Sequence, residues 1–232
     1  VVQLTKDYYD VRAVFSKTDR AVYISHLDLM RLMQRTFKRA RLPVWFTKGY
    51  NPHIYLLFHL PLSLGVASRC EIMDFGMDIL GGEPDYEDIK RRMNAVLPEG
   101  IRILELRSPV MRHTEIGSCT YTAEFYSDRP PAEIKKLFES FISQDKIIIE
   151  KRCKVNMKKT VLPVDIKPDI ELMSVSEGER SLDIGLRLPA GINKSLNVVS
   201  VTSAFESFCG FEFDRLCINR TKILSINGED FK

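Results

Sequence analysis

The sequence has 232 residues, of which 44% are hydrophobic and 28% charged, with a formal net charge of +3. This composition is typical of a globular protein. No apolar run approaches the roughly 20 residues that a membrane-spanning helix needs, and the N-terminal stretch lacks the basic and apolar regions of a signal peptide. We therefore expect a cytoplasmic protein without membrane contact, with one large domain or two ordinary ones.

Cysteine and histidine residues give no metal-binding pattern. The five cysteines are scattered and include no C-x-x-C pair, so buried thiols in a reducing compartment are expected instead of disulfides or an iron-sulfur site. The histidines form no H-x-x-x-H pair; they are His26, His53, His59 and His113. The sequence predicts no metal site and no cofactor.

The first half of the chain alternates strand and helix patterns. In order, it predicts a strand with one buried face at 9–16, a helix from His26 to at most Leu42, an apolar strand inside a sheet at 54–60, a strand at 70–77, a helix after residues 81–84 and a strand at 101–106. The order β-α-β-β-α-β is that of a ferredoxin-like unit, which we place at residues 1–112.

The second half predicts the same order of elements. It has a strand at 121–126, a helix beginning at Pro130-Pro131, a short strand at 147–149, a regularly alternating strand at 182–188, a helix from about Lys194 to Gly210 and a strand at 211–218. A basic hairpin expands the segment between Lys154 and Pro168. The predicted fold class is α+β, with a second ferredoxin-like unit at 113–232 and helices on one face of each antiparallel sheet.

The first helix has clear end signals. Ser25 is a candidate N-cap, with Asp28 reaching back to the Ser25 backbone N–H as in a capping box, and Pro43 requires the helix to have ended by about Leu42. Its predicted apolar face consists of Leu27, Met30, Met33 or Gln34, Phe37 and Ala40.

Positive charge is concentrated in this region. Residues 25–53 contain six Lys or Arg and one acid, a local charge of +5, so the rest of the chain sums to −2. The cations are Arg31, Arg35, Lys38, Arg39, Arg41 and Lys48. The residues at 31, 35 and 38 share one stripe, which destabilises a helix slightly. The pattern indicates either a solvated basic face or a phosphate-rich ligand.

A turn follows the helix at Lys48-Gly49-Tyr50-Asn51-Pro52-His53. Glycine and the Asn-Pro pair account for the turn by themselves. They leave open why an aromatic ring, an amide and an imidazole are presented together beside a basic helix. Tyr50 is either a base-stacking ring or a packing lid, and His53 either a structural hydrogen-bonding group or a catalyst.

Several motifs occur in a fixed order: His26-Leu27-Asp28, arginines at 31 and 35, Leu42-Pro43, the turn at 48–53 and Leu60-Pro61-Leu62-Ser63-Leu64-Gly65. Together they resemble the uncharacterised radical-SAM-linked family, the domain of unknown function 2344. The resemblance extends over most of the chain and implies a radical SAM protein as partner. This sequence has no C-x-x-x-C-x-x-C cluster motif of its own, which is consistent with an accessory role.

Three functions follow as hypotheses. The first is an adaptor that binds RNA or another phosphate-rich ligand through Arg31, Arg35, Lys38, Arg39, Lys48, Tyr50, Asn51 and His53. The second is a metal-independent endoribonuclease-like enzyme with His26 or His53 as acid or base. The third is a protein–protein scaffold whose arginines pair with a partner's acids. We regard an enzyme as less expected than an adaptor, and Ser25 and Asp28 as a structural cap.

Overall fold

The computed structural model describes residues 7–155 and 158–232, without the side chains of residues 152–159. The chain forms two compact units, Val1–His113 with Phe231–Lys232, and Thr114–Asp230. Both units combine helices with antiparallel strands, which confirms the predicted α+β class. In the part of the chain described, no helix is long and apolar enough to span a membrane.

The part of the first unit that the structure describes contains four strands and two α-helices. They are β1 (Tyr8–Lys17), α1 (His26–Arg39), β2 (Leu56–Phe58), β3 (Val66–Asp78), α2 (Tyr86–Asn94) and β4 (Ile101–Arg107). The strands lie in the order β4-β1-β3-β2, each antiparallel to its neighbour. This element order matches the order predicted for the first half of the sequence.

Hydrophobic burial fixes both helices against this sheet. Met33 and Phe37 of α1 are fully buried, and the Phe37 ring lies 4.8 Å from that of Phe75 in β3. Ile89 and Met93 of α2 belong to the same core. Fully burying a side chain of this size stabilises a fold by about 1.5–3 kcal/mol, so these contacts hold α1 in a fixed orientation.

The predicted apolar face of α1 is wrong at its first turn. Leu27 is 64% exposed, whereas Leu29, Met33 and Phe37 are buried. Residues four apart lie on the same side of a helix, so a stripe through 29, 33 and 37 cannot also include residue 27. Sequence spacing allowed both stripes, and the sheet selects one.

The C-terminus of α1 has a tight, left-handed ending. Arg41 has a φ of +51°, and the N–H of Leu42 donates to the Phe37 carbonyl over 3.0 Å. This hydrogen bond is that of a Schellman ending, in which glycine usually occupies the left-handed position. The helix thus ends at Arg39, within the limit that Pro43 predicted.

Two strand predictions need correction. The apolar segment 54–60 does not form a strand inside the sheet, because only Leu56–Phe58 is strand and it pairs with β3 alone. β1 is not limited to one buried face either. Arg12 and Ser16, expected on its polar side, are 1% and 9% exposed.

Among its described residues, the second unit contains six strands and two α-helices. They are β5 (Ile116–Tyr126), α3 (Pro131–Ile142), β6 (Ile148–Val155), β7 (Lys158–Asp165), β8 (Glu171–Glu177), β9 (Ser181–Pro189), α4 (Val198–Cys209) and β10 (Arg215–Ser225). Four strands of this unit are hydrogen-bonded to their neighbours in the order β10-β5-β9-β8. β6 and β7 form a separate two-stranded hairpin.

The sequence did not predict β8, which pairs with β9 at the sheet edge. The short strand predicted at 147–149 instead opens the separate hairpin. The predicted basic hairpin therefore exists as backbone, with Lys151 exposed. The side chains of Arg152, Lys154, Lys158 and Lys159 lie outside the described residues.

An aromatic cluster forms the core of the second unit. The Phe205 ring of α4 lies 5.1 Å from Phe138 and 5.2 Å from Phe125. The N-cap of α4 is Asn197, whose side chain accepts from the Val199 N–H, and its C-cap is Gly210, which has a φ of +72°. The predicted stop at Gly210 is confirmed, while the start lies a few residues after the predicted one.

Candidate functional site

The exposed side of α1 forms one wall of a groove. The groove has a volume of about 670 Å³, and Arg31, Arg35 and Arg39 line it together. Residues 95–98, which follow α2, line it as well. The helix rises about 1.5 Å per residue, so arginines four residues apart succeed one another every 6 Å or so along the groove.

The remaining lining of the groove is largely apolar. Ile24, Leu32 and residues 95–98 contribute hydrophobic surface, and Thr36 and Asp28 contribute polar atoms. A ligand in this groove would therefore contact guanidinium groups and a hydrophobic surface at the same time. Lys38, which the sequence placed in the same stripe, is exposed but does not line the groove.

The three arginines differ in their pairing. Arg31 Nη1 lies 3.1 Å from Asp28 Oδ1, and both side chains are well exposed. Exposed pairs of this kind contribute about 0–1 kcal/mol, so a ligand can displace the carboxylate at little cost. Arg35 and Arg39 make no ion pair or hydrogen bond with any residue that the structure describes. Two cations are thus open to a ligand.

Ser25 and Asp28 cap α1, though not in the predicted way. The Ser25 hydroxyl accepts from the Asp28 N–H over 3.2 Å, as an N-cap does. The Asp28 carboxylate, however, accepts from the Ser25 hydroxyl over 2.8 Å, where the capping box predicted the Ser25 backbone N–H. This hydrogen bond, with the charges of Arg31 and Arg35, lowers the pKa of Asp28, so the carboxylate stays ionised at neutral pH.

Ser25→Ala is expected to lower the free energy of unfolding by about 1 kcal/mol, because it removes the acceptor for an N–H at the start of α1. Urea denaturation followed by the fluorescence of Trp45, which lies in the same unit, measures the change. Ser25→Thr keeps the hydroxyl and is the matched control. Equal losses in the two variants would mean that the cap does not stabilise α1.

The turn at 48–53 is held by its own hydrogen bonds. The Thr47 N–H donates to the His53 carbonyl over 2.8 Å, and the His53 N–H donates to Thr47 Oγ1 over 3.2 Å. His53 Nδ1 lies 3.0 Å from Thr47 Oγ1 and 3.1 Å from the Asn51 carbonyl oxygen. His53 therefore has a structural role in closing the turn.

The other predicted residues of the turn point outward. Tyr50 is fully exposed, and Asn51 is exposed as well. Lys48 forms an exposed ion pair with Asp7. None of these residues lines the arginine groove, so the turn and the groove are two separate surfaces of the first unit.

The two candidate catalytic histidines are not brought together. The His26 ring packs edge-on against Phe58 at 5.3 Å. Across the described ranges, no hydrogen bond or ring contact joins His26 to His53 or to Asp28. A general acid or base must lie within hydrogen-bond reach of the proton that it transfers, so each of these histidines would have to act without direct contact with the other.

Sequence reasoning missed a buried hydrogen-bond network, which lies on the face of β1 that was predicted to be polar and exposed. Arg12 binds Asp74 through two hydrogen bonds of 2.8 Å, and His59 Nε2 lies 2.6 Å from Asp74 Oδ2. Arg12 Nη1 also donates to the backbone oxygens of Met111 and Lys232 over 2.8 and 2.7 Å. The network ties distant segments of the first unit together.

This network also sets the charge of Asp74. Burial alone would raise the pKa of Asp74, but the hydrogen bonds from Arg12 and His59 outweigh it and lower the pKa. A sequence signal existed, because Asp74 lies between the apolar residues Met73 and Phe75 of β3 and buried carboxylates need a partner. Within the described ranges, no three His, Cys, Asp or Glu side chains are placed to hold a metal ion.

Comparison with known proteins gives one family match. The model of a family described as "Uncharacterized protein conserved in bacteria (DUF2344)" matches residues 11–200. No curated protein matches the chain at a significant level.

The solved structures that match the chain at low identity include the following two. "Crystal Structure of a Cbf5-Nop10-Gar1 Complex" gives a TM-score of 0.44 and 12% identity over 93% of this chain and 49% of that one. "Crystal Structure of an Unknown Protein from Galdieria sulphuraria" gives a TM-score of 0.26 and 13% identity over 92% of this chain and 97% of that one. The chain thus spans about half the length of the first of these proteins.

Proposed function

The chain belongs to the DUF2344 family, and on that premise we propose that it is an accessory protein that binds RNA through the arginine groove of α1. In this role it presents RNA, or another phosphate-rich ligand, to a radical SAM enzyme in the cytoplasm. The protein itself performs no chemistry on the ligand.

The observation that carries this proposal is the shared groove of Arg31, Arg35 and Arg39. Guanidinium groups bind phosphate oxygens in a bidentate way that lysine cannot reproduce. Like charges four residues apart destabilise a helix, and Arg35 and Arg39 form no ion pair with any acid among the residues described. A polyanionic ligand would balance this charge, and the apolar wall would contact its bases or sugars.

The regular spacing of the three arginines along α1 favours RNA over an acidic protein surface as the ligand. Phosphates follow one another along a single strand at intervals close to one turn of an α-helix, so one arginine per turn can engage successive phosphates. The acids of a folded protein surface have no such regular repeat.

The radical SAM partner is proposed from the motifs shared with the radical-SAM-linked family. The absence of a C-x-x-x-C-x-x-C motif from this sequence supports a division of labour, in which the partner holds the cluster. We also infer a tandem of ferredoxin-like units, supported by the equivalent strand orders β4-β1-β3-β2 and β10-β5-β9-β8.

Binding of a labelled single-stranded RNA of about ten nucleotides tests the proposal directly. Fluorescence polarisation is read in EDTA while the salt concentration is raised from about 50 to 200 mM. We expect the logarithm of the binding constant to fall with a slope of about −2, since each of three phosphate contacts contributes roughly 0.7. The RNA is expected to remain intact. Absence of binding, or binding that salt does not weaken, would contradict the proposal.

Two further outcomes separate the alternatives. Cleavage in EDTA that is lost in His26→Ala or His53→Ala would replace the adaptor with an endoribonuclease. Co-purification with the radical SAM protein tests the accessory role. If this association needs the three arginines and survives nuclease treatment while RNA does not bind, the chain is a protein scaffold.

A further inference from the structure

A short hairpin rises from the sheet of the first unit at residues 44–55. Val44 pairs with Met77 of β3, and Phe46 pairs with Ile54. The Tyr55 N–H donates to the Trp45 carbonyl over 3.2 Å. With the hydrogen bonds between Thr47 and His53, these contacts hold the tip, residues 48–52, in a defined position.

The base of the hairpin is a packed aromatic cluster. The Trp45 ring lies 4.4 Å from that of Tyr8 in β1 and 6.1 Å from that of Tyr55. Gly76 of β3 lies beneath them, and a Cβ at this position would approach the Tyr8 ring to 3.1 Å and Trp45 Cβ to 3.2 Å. Glycine thus allows the rings to pack against the sheet, and the hairpin is rigidly seated.

The tip of the hairpin, in contrast, presents aromatic surface to solvent. Tyr50 at the tip is fully exposed, and Phe46, which precedes the tip, is 46% exposed. Lys48, two residues before Tyr50, is cationic. Within the described part of the chain it forms one ion pair, with Asp7, and that pair is exposed. An exposed aromatic ring beside a cation is an arrangement with which proteins stack unpaired nucleobases.

The hairpin also lies directly after the arginine groove in the chain. Only residues 40–43 separate Arg39, at one end of the groove, from Val44, where the hairpin begins. Arg41 adds another exposed cation between them. The segment that joins the groove-lining helix to the hairpin therefore carries a further cation.

We propose that the hairpin stacks unpaired bases of the bound RNA on Tyr50, so that the substrate class is single-stranded RNA. This inference rests on the proposed function, because the groove supplies the phosphate contacts. The groove binds the backbone of any single strand, and the hairpin requires bases that are free of Watson–Crick pairing.

Two probes of equal charge test this inference on the full chain: a labelled oligoadenylate of about ten nucleotides and an abasic strand of the same length. We expect both to bind in polarisation, and oligoadenylate about tenfold more tightly, because one base stacked on an aromatic ring contributes on that order. Trp45 is the only tryptophan of the chain. Its fluorescence should respond more to oligoadenylate than to the abasic strand.

Tyr50→Ala and Tyr50→Phe form a matched pair of variants. Tyr50→Ala should bind oligoadenylate as weakly as the abasic strand, whereas Tyr50→Phe should keep the preference. Since the side chain is fully exposed, both should fold, as unchanged Trp45 emission without RNA would verify.

The outcomes distinguish the two proposals. Equal affinities for the two strands, or an unchanged preference in Tyr50→Ala, would overturn base stacking while leaving the groove intact. Loss of binding to the radical SAM protein alone would make Tyr50 a protein contact and also overturn it. Failure of both strands to bind would refute the proposed function and this inference with it.

Discussion

Arg12→Met is expected to lower the free energy of unfolding of the first unit by about 3–5 kcal/mol, because it leaves a buried carboxylate without its cation. Arg12 is 1% exposed and donates two hydrogen bonds to Asp74. Methionine fills a similar volume, so the loss reports the missing charge and hydrogen bonds more than a cavity. The backbone oxygens of Met111 and Lys232 lose a donor at the same time.

Urea denaturation followed by Trp45 fluorescence measures this loss within the first unit. Arg102→Met, in the neighbouring strand β4 and exposed, is the matched control and should cost less than about 0.5 kcal/mol. Asp74→Asn added to Arg12→Met should recover part of the loss, since the buried charge disappears while His59 keeps an acceptor. Strict additivity of the two substitutions would contradict the ion-pair account.

The same network has a pH dependence of defined sign. The pKa of Asp74 is lowered in the folded state, so its ionised form stabilises the fold at pH values above the unfolded pKa of about 3.9. This stabilisation is lost as the pH falls through the lowered folded pKa. The difference between wild type and Arg12→Met should accordingly shrink in acid.

Local signals predicted α1 well. Ser25 marks its start, and Pro43 sets a limit that its end at Arg39 respects; both signals act within a few residues. The same holds for the stop of α4 at Gly210, because the left-handed ending needs a glycine-like residue nearby. Ends of this kind can be read from a sequence without knowledge of the rest of the fold.

Features that depend on distant pairing were not predictable in the same way. The polar alternation of β1 placed Arg12 in solvent, but Asp74, His59 and the carbonyl of Met111 come from far along the chain and bury it. Strand β8 was missed because most of its residues are exposed, so no apolar alternation marks it.

In the candidate site, too, the local feature was predictable from the sequence and the feature set by distant residues was not. Charge counting located the basic helix, but the spacing suggested a stripe of residues 31, 35 and 38. The structure gathers Arg31, Arg35 and Arg39 instead, because residues 95–98 form the facing wall. No pattern within α1 could reveal that wall. The sequence also could not predict that the groove and the turn at 48–53 are separate surfaces.

Replacing Arg31, Arg35 and Arg39 together with glutamine is expected to weaken RNA binding by about 100-fold or more at low salt. Each charge-assisted hydrogen bond contributes on the order of 1–2 kcal/mol, and a factor of ten corresponds to about 1.4 kcal/mol. Glutamine keeps a long polar side chain and helix propensity, so α1 should remain folded. Fluorescence polarisation with a single-stranded RNA gives the affinity.

A charge-matched triple variant controls for the overall loss of positive charge. Arg69, Arg102 and Arg180 are exposed and do not line the groove. Their joint replacement by glutamine should weaken binding by less than about tenfold, through the long-range field alone. Equal losses in the two triple variants would mean that RNA binds by net charge and not in the groove.

One measurement reports the phosphate contacts themselves. It compares the salt dependence of RNA binding between the wild type and the variant in which glutamine replaces Arg31, Arg35 and Arg39. Three lost contacts at roughly 0.7 each should make the slope of log affinity against log salt shallower by about 2. Parallel lines for the two proteins would show that Arg31, Arg35 and Arg39 bind no phosphate.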